Sequence, residues 1–378
     1  MAKKLFVVNA SNCYHLKEIP DLSGFCLEKL ILERCKGLVK IHHSLGDMST
    51  LTYLNLRECE NLLELPSDIS GLRNLEKLIL SGCINLRELP EDLSGLRSLK
   101  ELLLDRTPIM KLPDTIFRLK NLDVFNLAGC YRLDLLPHSI GNLNSLRELI
   151  LSGTALQTLP DSIGNLSNLE LLNLRMCKSL TSISNSIGNL TSLVELCLGG
   201  SSIKELPASI GSISHLKFLM LDHCRSLSKL PDSIGRLSSL VSLHLEGTQL
   251  KEIPDQVGAL NNLEQLKLGS IELLDSIPGS ICGMLSLRDV ELDNLSIAEL
   301  PESIGLLERL DTLKLNNCKN LRKLPASIGN LASLRYLYMD KNAVTELPDE
   351  IGRLLRLKVL RMAKHPDSGA PNNNGRES

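Results

Sequence analysis

The sequence has few aromatic side chains and no excess of charge of either sign. Its 378 residues include no tryptophan, aromatic residues make up 3%, and the formal net charge is -2. A nearly neutral chain lacks the long-range field that attracts nucleic acid or anionic lipid. We therefore expect no nucleic-acid partner.

Long apolar runs are also missing. The opening residues, MAKKLFVVNASNC, contain an apolar run of only four residues. A secretory signal needs roughly 7–15 apolar residues and a membrane-spanning helix about 20. The eleven cysteines are odd in number and spread along a long chain, which is not typical of a disulfide framework. The sequence therefore predicts no membrane insertion and favours a reduced protein of the cytoplasm, with the nucleus as a further compartment.

Motifs for catalysis are missing as well. The chain has no GxSxG, HExxH, CxxC or GxxxxGK[ST] segment. Its few histidines and cysteines are dispersed along the chain. We therefore expect no enzymatic activity and no cofactor.

One phrase, L-x-x-L-x-L-x-x-C, recurs along nearly the whole chain. Sixteen units begin at Leu5, Leu27, Leu51, Leu75, Leu99, Leu122, Leu146, Leu169, Leu193, Leu216, Leu240, Leu263, Leu287, Leu310, Leu334 and Leu357. The first interval is 22 residues and every later one is 23 or 24. These lengths are typical of leucine-rich repeats, in which each unit contributes one short strand.

The repeat predicts an α/β solenoid of about 16 units. We expect a leucine-rich-repeat horseshoe with a parallel β-sheet on its concave face and short 3₁₀ or irregular helical segments on its convex face. The solenoid should occupy residues 1–365, and residues 366–378 should form a disordered polar tail.

Position 9 of the unit, counted from its first leucine, predicts buried cysteines. From Leu99 onward the intervals alternate between 23 and 24 residues, so the full period is 47. Units with cysteine at position 9 take one residue more than units with threonine or serine there. Eight cysteines occupy this position: Cys13, Cys35, Cys59, Cys83, Cys130, Cys177, Cys224 and Cys318. A small apolar thiol that fills a slot in the core explains them better than redox chemistry does.

The second half of each unit reads like LPDSIGRLSSL. The proline fixes the backbone, and the Ser-Ile-Gly segment should turn the chain over the convex side. The glycines of this phrase, such as Gly141, Gly188 and Gly211, indicate either a positive φ or close packing.

Strand side chains alternate, so residues 3, 5, 7 and 8 of each unit should face the concave surface. The row at position 5 is apolar in its first part and charged or aromatic in its last part. Exposed apolar rows with polar rims are typical of protein contacts. The alternative is that β-branched residues occupy the row only because they favour strand formation.

Methionine, arginine and aromatic residues are enriched at interface centres. We predict two protein-binding patches, which consist of Arg175, Met176, Phe218, Met220, Asp222, His223, His244 and Glu246, and of Tyr336 and Tyr338.

Two groups of metal-ligating side chains also lie on predicted strands. They are Cys197, Met220 and His244 with Asp222 nearby, and Asp289, Glu291 and Asp293. The first has the softness for a transition metal, and the second has the oxygens for calcium. Lys267 and Lys314 flank Glu291, however, so cross-strand charge pairing explains the second group at less cost. We expect no metal.

Two longer phrases carry a family resemblance. PDLSGFCLEKLILERCKGLVKIHHSLGDMSTLTYLNLRECENLLELPSDI and the closing LYMDKNAVTELPDEIGRLLRLKVLRMAKHP resemble the repeat region of plant intracellular disease resistance proteins. These are the TIR-type nucleotide-binding leucine-rich-repeat receptors. The resemblance covers roughly residues 5–366, and it includes the alternation of cysteine and threonine at position 9.

The resemblance implies a recognition module of plant innate immunity. In such receptors the repeats sense pathogen effectors and hold the nucleotide-binding domain inactive. The implied partners are a pathogen effector, a guarded host protein or that nucleotide-binding domain, and we expect a monomer in isolation. The chain has no TIR segment and no phosphate-binding loop, and its apolar start and polar end favour a receptor fragment.

Two alternatives remain open. One is a cytosolic signalling scaffold of the Ras-group-related, SHOC-2-like type, whose units also read LPxxIGxL. The other is a consensus-like repeat scaffold without a natural ligand, against which the irregular Ile271 and Leu295 at position 9 argue.

Overall fold

One parallel β-sheet runs through the molecule, and each unit adds one three-residue strand to it. The computed structural model describes residues 4–364, and in this part of the chain sixteen strands pair in sequence order. They are β1 (Val7–Asn9), β3 (Lys29–Ile31), β5 (Tyr53–Asn55), β6 (Lys77–Ile79), β7 (Glu101–Leu103), β8 (Val124–Asn126), β9 (Glu148–Ile150), β10 (Leu171–Asn173), β11 (Glu195–Cys197), β12 (Phe218–Met220), β13 (Ser242–His244), β14 (Gln265–Lys267), β15 (Asp289–Glu291), β16 (Thr312–Lys314), β17 (Tyr336–Tyr338) and β18 (Val359–Arg361). The predicted solenoid is confirmed, and the proposed tail at 366–378 lies outside the described residues.

The leucines of each unit form one continuous core behind the sheet. In the unit of β12, Leu216, Leu219 and Leu221 are all fully buried. Burying one such side chain contributes roughly 1.5–3 kcal/mol, and a single unit could not cover its own leucines. Neighbouring units therefore stabilise each other through a shared core.

Short 3₁₀ helices cover the opposite face, as the sequence predicted. They span His43–Asp47, Asp114–Arg118, His138–Asn142, Asp161–Asn165, Asn185–Asn189, Ala208–Ser212, Asp232–Arg236, Asp255–Ala259, Gly279–Gly283, Glu302–Leu306, Ala326–Asn330 and Asp349–Arg353. A proline precedes most of them in an extended conformation, which suits a residue with a fixed φ. The units starting at Leu51 and Leu75 read SDISGL and EDLSGL instead, and an isolated bridge joins Asp68 to Asp92 there.

The convex glycines serve close packing, which was one of the two sequence interpretations. A Cβ on Gly188 would lie 2.6 Å from the Ser209 carbonyl oxygen and 2.8 Å from the Ser209 Cβ. Gly188 does not have a positive φ, so the other interpretation was wrong for it. The absent side chain lets adjacent turns approach each other.

Position 9 is a buried slot in nearly every unit. The Cys177 thiol donates to the Leu151 carbonyl of the preceding unit at 3.2 Å, and Thr154 bonds the same carbonyl at 2.8 Å. All eleven cysteines are free, and seven of the eight at position 9 are buried. Cys13 is exposed, so its predicted burial was wrong. The slot is completed by the preceding unit, and Cys13 belongs to the first unit that the structure describes.

Position 8 adopts a left-handed backbone conformation in fifteen of the sixteen units. Glycine occupies it in some units, but Met176 has φ 58° and His223 also has φ 58°. For a residue with a Cβ this conformation costs on the order of 1 kcal/mol. The N–H of Met176 donates to the Gly199 carbonyl at 2.7 Å, so the inter-unit ladder continues beyond the strand end.

Two further strands, β2 (Glu18–Ile19) and β4 (Lys40–Ile41), form a small parallel pair outside the main sheet. These two strands were not predicted from the sequence. Among residues 4–364, no helix has the length and apolar character needed to cross a bilayer.

Candidate functional site

The central concave patch consists of the eight predicted residues Arg175, Met176, Phe218, Met220, Asp222, His223, His244 and Glu246. Its middle lies on β12, where Phe218 and Met220 are partly buried and point away from the core. Phe218 pairs in register with Glu195 and Ser242, and Met220 pairs with Cys197 and His244. The predicted row at position 5 is therefore confirmed at this point.

Arg175 and Asp222 border this patch on the side where the strands end. The Arg175 Nη1 donates to Asp222 Oδ1 at 3.0 Å, and Nη2 donates to Oδ2 at 2.6 Å. The two residues are two units apart, and Gly199 lies between them. A Cβ on Gly199 would come within 2.6 Å of Asp222 Oδ1, so the glycine leaves the space for this ion pair. The ion pair raises the pKa of the Arg175 guanidinium, because the Asp222 carboxylate stabilises its charge.

Met176 and His223 lie at the outer edge of the patch rather than on the strands. Both occupy position 8, and both are exposed. A Cβ on Gly200 would meet the Met176 Sδ at 2.5 Å, and one on Gly247 would meet the His223 Nδ1 at 2.5 Å. Each side chain therefore extends over the glycine of the following unit.

His244 and Glu246 contribute partly buried polar groups without complete hydrogen bonding. The His244 Nε2 and the Glu246 Oε2 are covered and have no hydrogen-bond partner among the described residues. Burial lowers the pKa of the His244 ring, and nearby Lys267 adds to this effect. Burial also raises the pKa of Glu246, whose nearest cation is the Lys267 Nζ at 3.9 Å. A partner that donates a hydrogen bond here would satisfy groups that are left unpaired in the free chain.

Cys197 lies beneath the patch. Its thiol donates to the Glu195 Oε1 at 3.1 Å, and burial raises its pKa to about 12. The thiolate is the form that binds soft metals, and this environment disfavours it. Among residues 4–364, no three histidine, cysteine or acidic side chains are placed to share a metal ion.

The second predicted group, Tyr336 and Tyr338, lies well away from the first. The two rings stack on β17 with centroids 6.4 Å apart and planes inclined by 4°. Five strand spacings separate β17 from β12, which corresponds to about 24 Å along the sheet. The structure therefore keeps the tyrosine pair and the central concave patch as separate surfaces.

The acidic residues beyond the patch are engaged in charge pairs and turns. The Lys314 Nζ donates to Glu291 Oε2 at 3.1 Å, as cross-strand pairing predicted. Asp293 accepts the backbone N–H of Asn316 at 2.7 Å and thereby holds the adjacent turn.

Side chains at position 2 lie beside the central concave patch and were not predicted from the sequence. From Glu76 to Glu170 and again from Glu264 to Arg335 this row alternates in charge, as in the pairs Lys100–Glu76 at 3.1 Å and Arg335–Asp311 at 3.3 Å. Beside the central concave patch the alternation stops, and Val194, Lys217 and Val241 occupy the row. The interruption was visible in the sequence once position 2 was read as a series. Val194 and Val241 are partly exposed and Lys217 is exposed, so this part of the row places one positive charge between two apolar side chains.

Comparison with known families agrees with this geometry. The model of the leucine-rich repeat region matches residues 196–278 and 276–373. A leucine-rich-repeat protein of Leptospira interrogans is 30% identical, with a TM-score of 0.78, and the alignment covers 95% of this chain and 91% of that protein. This chain belongs to the leucine-rich-repeat family. Its fold is that of a scaffold for protein–protein interaction.

More distant structures share the fold alone. The plant peptide hormone receptor RGFR1, solved in complex with RGF2, is 23% identical, with a TM-score of 0.56 over 96% of this chain and 69% of that one. The functional domain of InlJ from Listeria monocytogenes is 19% identical, with a TM-score of 0.62 over 77% and 63%. No curated protein matches the sequence.

Proposed function

We propose that this leucine-rich-repeat protein recognises a protein partner through the central concave patch, and that binding rather than catalysis is its role. The observation that carries the proposal is the arrangement around β12. Phe218 and Met220 stand partly exposed, while an ion pair borders them on one side. Apolar contact area with a polar rim is the usual anatomy of an interface centre.

Rigidity supports the same proposal. Strand pairing on both sides holds Phe218 and Met220, so little conformational entropy is lost when a partner binds. The partly buried His244 and Glu246 add unpaired polar atoms that give directional preference.

We further propose that the partner belongs to plant innate immunity and that the protein acts in the cytoplasm or nucleus. The support is the sequence itself, through the LPxxIGxL units and the alternation of cysteine and threonine at position 9. The partner would be a pathogen effector, a guarded host protein or the nucleotide-binding domain of a receptor.

Affinity purification tests the proposal in two steps. Plant proteins are first captured on the purified chain, with and without the nucleotide-binding part of a related receptor. The captured partner is then titrated against the double variant Phe218→Ala/Met220→Ala. We expect binding to weaken by about 2 kcal/mol or more, which is roughly a thirtyfold rise in Kd.

Asp232→Arg on the convex face is the control, because Asp232 lies in a 3₁₀ turn far from the sheet. It should leave the affinity unchanged. Normal binding by the Phe218/Met220 variant together with loss of binding by Asp232→Arg would contradict the concave assignment. Absence of any partner among plant or effector proteins would contradict the immune assignment.

A further inference from the structure

A ladder of polar side chains recurs every 47 residues, at the position just before the first leucine of alternate units. Five successive members each donate a hydrogen bond of 2.7–2.9 Å to a backbone carbonyl of the preceding unit: Asn74, Asn121, Asn168, His215 and Asn262. The side chain thus fastens one loop to the next.

The next two members of this series are arginines. Arg309 and Arg356 follow Asn262 at the same 47-residue spacing, and both are exposed. Among the residues that the structure describes, neither guanidinium has a hydrogen bond or an ion pair. Two strong donor groups thus take the place of the side chains that donate to the preceding unit, and they have no partner among residues 4–364.

Both arginines line one cleft at the side of the sheet. The cleft has a volume of about 470 Å³, and its lining residues are Arg288, Asp289, Arg309, Asp311, Ser333, Arg335 and Arg356. Four guanidinium groups therefore face two carboxylates of the lining. Arg335 already pairs with Asp311 at 3.3 Å, and Arg288 pairs with Glu264 beside the cleft at 3.7 Å, so Arg309 and Arg356 supply the free positive charge. None of the described residues that line the cleft is apolar, so these residues offer an apolar ligand no apolar contact area.

The same solenoid contains a cleft of equal size with the opposite charge. Its volume is about 480 Å³, and it is lined by Glu76, Ser98, Lys100, Asn121, Asp123 and Ser145. Asn121 occupies there the ladder position that Arg309 and Arg356 occupy in the other cleft. The fold alone therefore produces a cleft of this volume, and the arginines turn one copy of it into a cationic site.

We propose that the cleft of Arg288, Arg309, Arg335 and Arg356 binds a small anion that carries two or more phosphate groups. Guanidinium groups match phosphate oxygens in a two-bond geometry and keep their charge at every physiological pH. A volume of about 470 Å³ lies within the range of small-molecule sites. Several separate guanidinium groups favour clustered phosphates over a single carboxylate. The chemistry is shared by soluble polyphosphates and by phosphorylated lipid headgroups.

Calorimetric titration of the full chain with sodium tripolyphosphate at low salt tests this site. We expect saturable binding of one ligand per chain that weakens as salt is added, because the contacts are exposed charges. The variant Arg309→Asn/Arg356→Asn should lower the affinity at least about tenfold. Asparagine is the residue of the equivalent ladder positions, so this variant should fold, and its melting curve verifies that.

Arg73→Asn/Arg236→Asn is the matched control, because it removes the same charge from exposed sites elsewhere. It should change the affinity less than about twofold, since distant exposed charges are screened. Absence of saturable binding would overturn the proposal, and so would an equal loss in both double variants.

Vesicles of phosphatidylcholine with and without phosphatidylinositol bisphosphate distinguish the two sources. Sedimentation only with the bisphosphate vesicles, lost in Arg309→Asn/Arg356→Asn, supports a lipid headgroup. Binding of tripolyphosphate without sedimentation supports a soluble ligand. The site shares no residue with the central concave patch, so either proposal can fail without the other.

Discussion

The Arg175 guanidinium reaches across the intervening repeat unit to the carboxylate of Asp222, with contacts of 3.0 and 2.6 Å. The two residues are 47 residues apart, which is one full period of the alternating repeat. The contact exists because Gly199, at the same position of the unit between them, has no side chain. Side chains two units apart are therefore coupled across a glycine, as they also are where the Arg106 Nη2 lies 3.8 Å from the Glu58 Oε1 with Gly82 between them.

This geometry predicts that Gly199 controls the Arg175–Asp222 interaction. In the wild-type chain, a double-mutant cycle of Arg175→Ala and Asp222→Ala should give a coupling energy of about 1 kcal/mol, since the arginine is 42% exposed and solvent screens the pair. In a Gly199→Ala background the added methyl displaces the carboxylate, and the coupling should fall towards zero. Urea unfolding measures each corner of the cycle.

The pair of Arg147 and Asp123 is the control for this cycle. It also has two hydrogen bonds, at 2.6 and 2.7 Å, but it joins neighbouring units and does not cross a glycine. Its coupling should be the same with and without Gly199→Ala. An unchanged Arg175–Asp222 coupling in the alanine background would show that Gly199 does not make the pair possible.

Cysteine reactivity should separate the exposed thiol from the buried ones. In the native protein we expect Cys13 to react at once with a thiol reagent, and Cys26 and Cys282, which are partly buried, to react more slowly. The other eight are buried, and burial raises the pKa of Cys83 to about 12 and that of Cys318 to about 11. The reactive thiolate is therefore nearly absent at pH 8.

Cys13→Ser should remove the fast phase of this reaction and nothing else. In denaturant without reductant, eleven thiols should be counted in the wild-type chain. A count lower by two or more would indicate disulfides, and fast labelling of any of the eight buried thiols would contradict the packing of position 9.

The fold was predictable because its signal is repeated sixteen times. The distance between successive leucines determines the strand positions, the row at position 5 and the buried slot at position 9. One irregular unit does not obscure that distance, because fifteen others repeat it. The 3₁₀ segments were predictable for the same reason, since the LPxSIG phrase recurs with them.

Features that depend on contacts between units were harder to predict. Met176 and His223 were placed on the concave face, whereas their left-handed backbone at position 8 puts them at its edge. Gly200 and Gly247, at position 8 of the units that follow, leave the space for these two side chains. This relationship becomes visible only when the strands are paired in register. The arginine cleft was likewise visible only when the ladder positions were compared every 47 residues. The predicted contact residues themselves stay a prediction until a partner is found.

Glu246 should make the stability of the protein depend on pH. Burial raises the pKa of its carboxyl above the ordinary value of 4.5. The native state therefore binds this proton more tightly than the unfolded state, and stability falls as pH rises from the unfolded pKa through the folded one. Above that window the native chain holds an ionised carboxylate with one covered oxygen unpaired.

Glu246→Gln removes this charge, so we expect the variant to melt about 1–2 °C above the wild type at pH 7.5. The gain should shrink at pH 4, where the wild-type carboxyl is protonated. His244 is present in both proteins, so its own titration cancels in the comparison. Glu272→Gln, at an exposed site, should show no such pH-dependent difference. A lower melting temperature of Glu246→Gln at pH 7.5 would mean that the contact with Lys267 outweighs burial.

The convex glycines should differ in their tolerance of alanine according to the unit that follows them. Gly188 packs against Ser209 of the next turn, and a Cβ there would lie 2.6 Å from a backbone carbonyl that cannot move alone. Gly352 occupies the same place in the phrase DEIGR, but no described atom lies within 4 Å of a Cβ built on it.

Gly188→Ala should therefore lower the free energy of unfolding by about 2 kcal/mol through overpacking. Gly352→Ala should be neutral or stabilise by up to about 1 kcal/mol, because alanine restricts the unfolded chain. Urea denaturation followed by circular dichroism measures both. Equal effects of the two substitutions would mean that the glycines are needed for the turn itself, and not for the approach of one unit to the next.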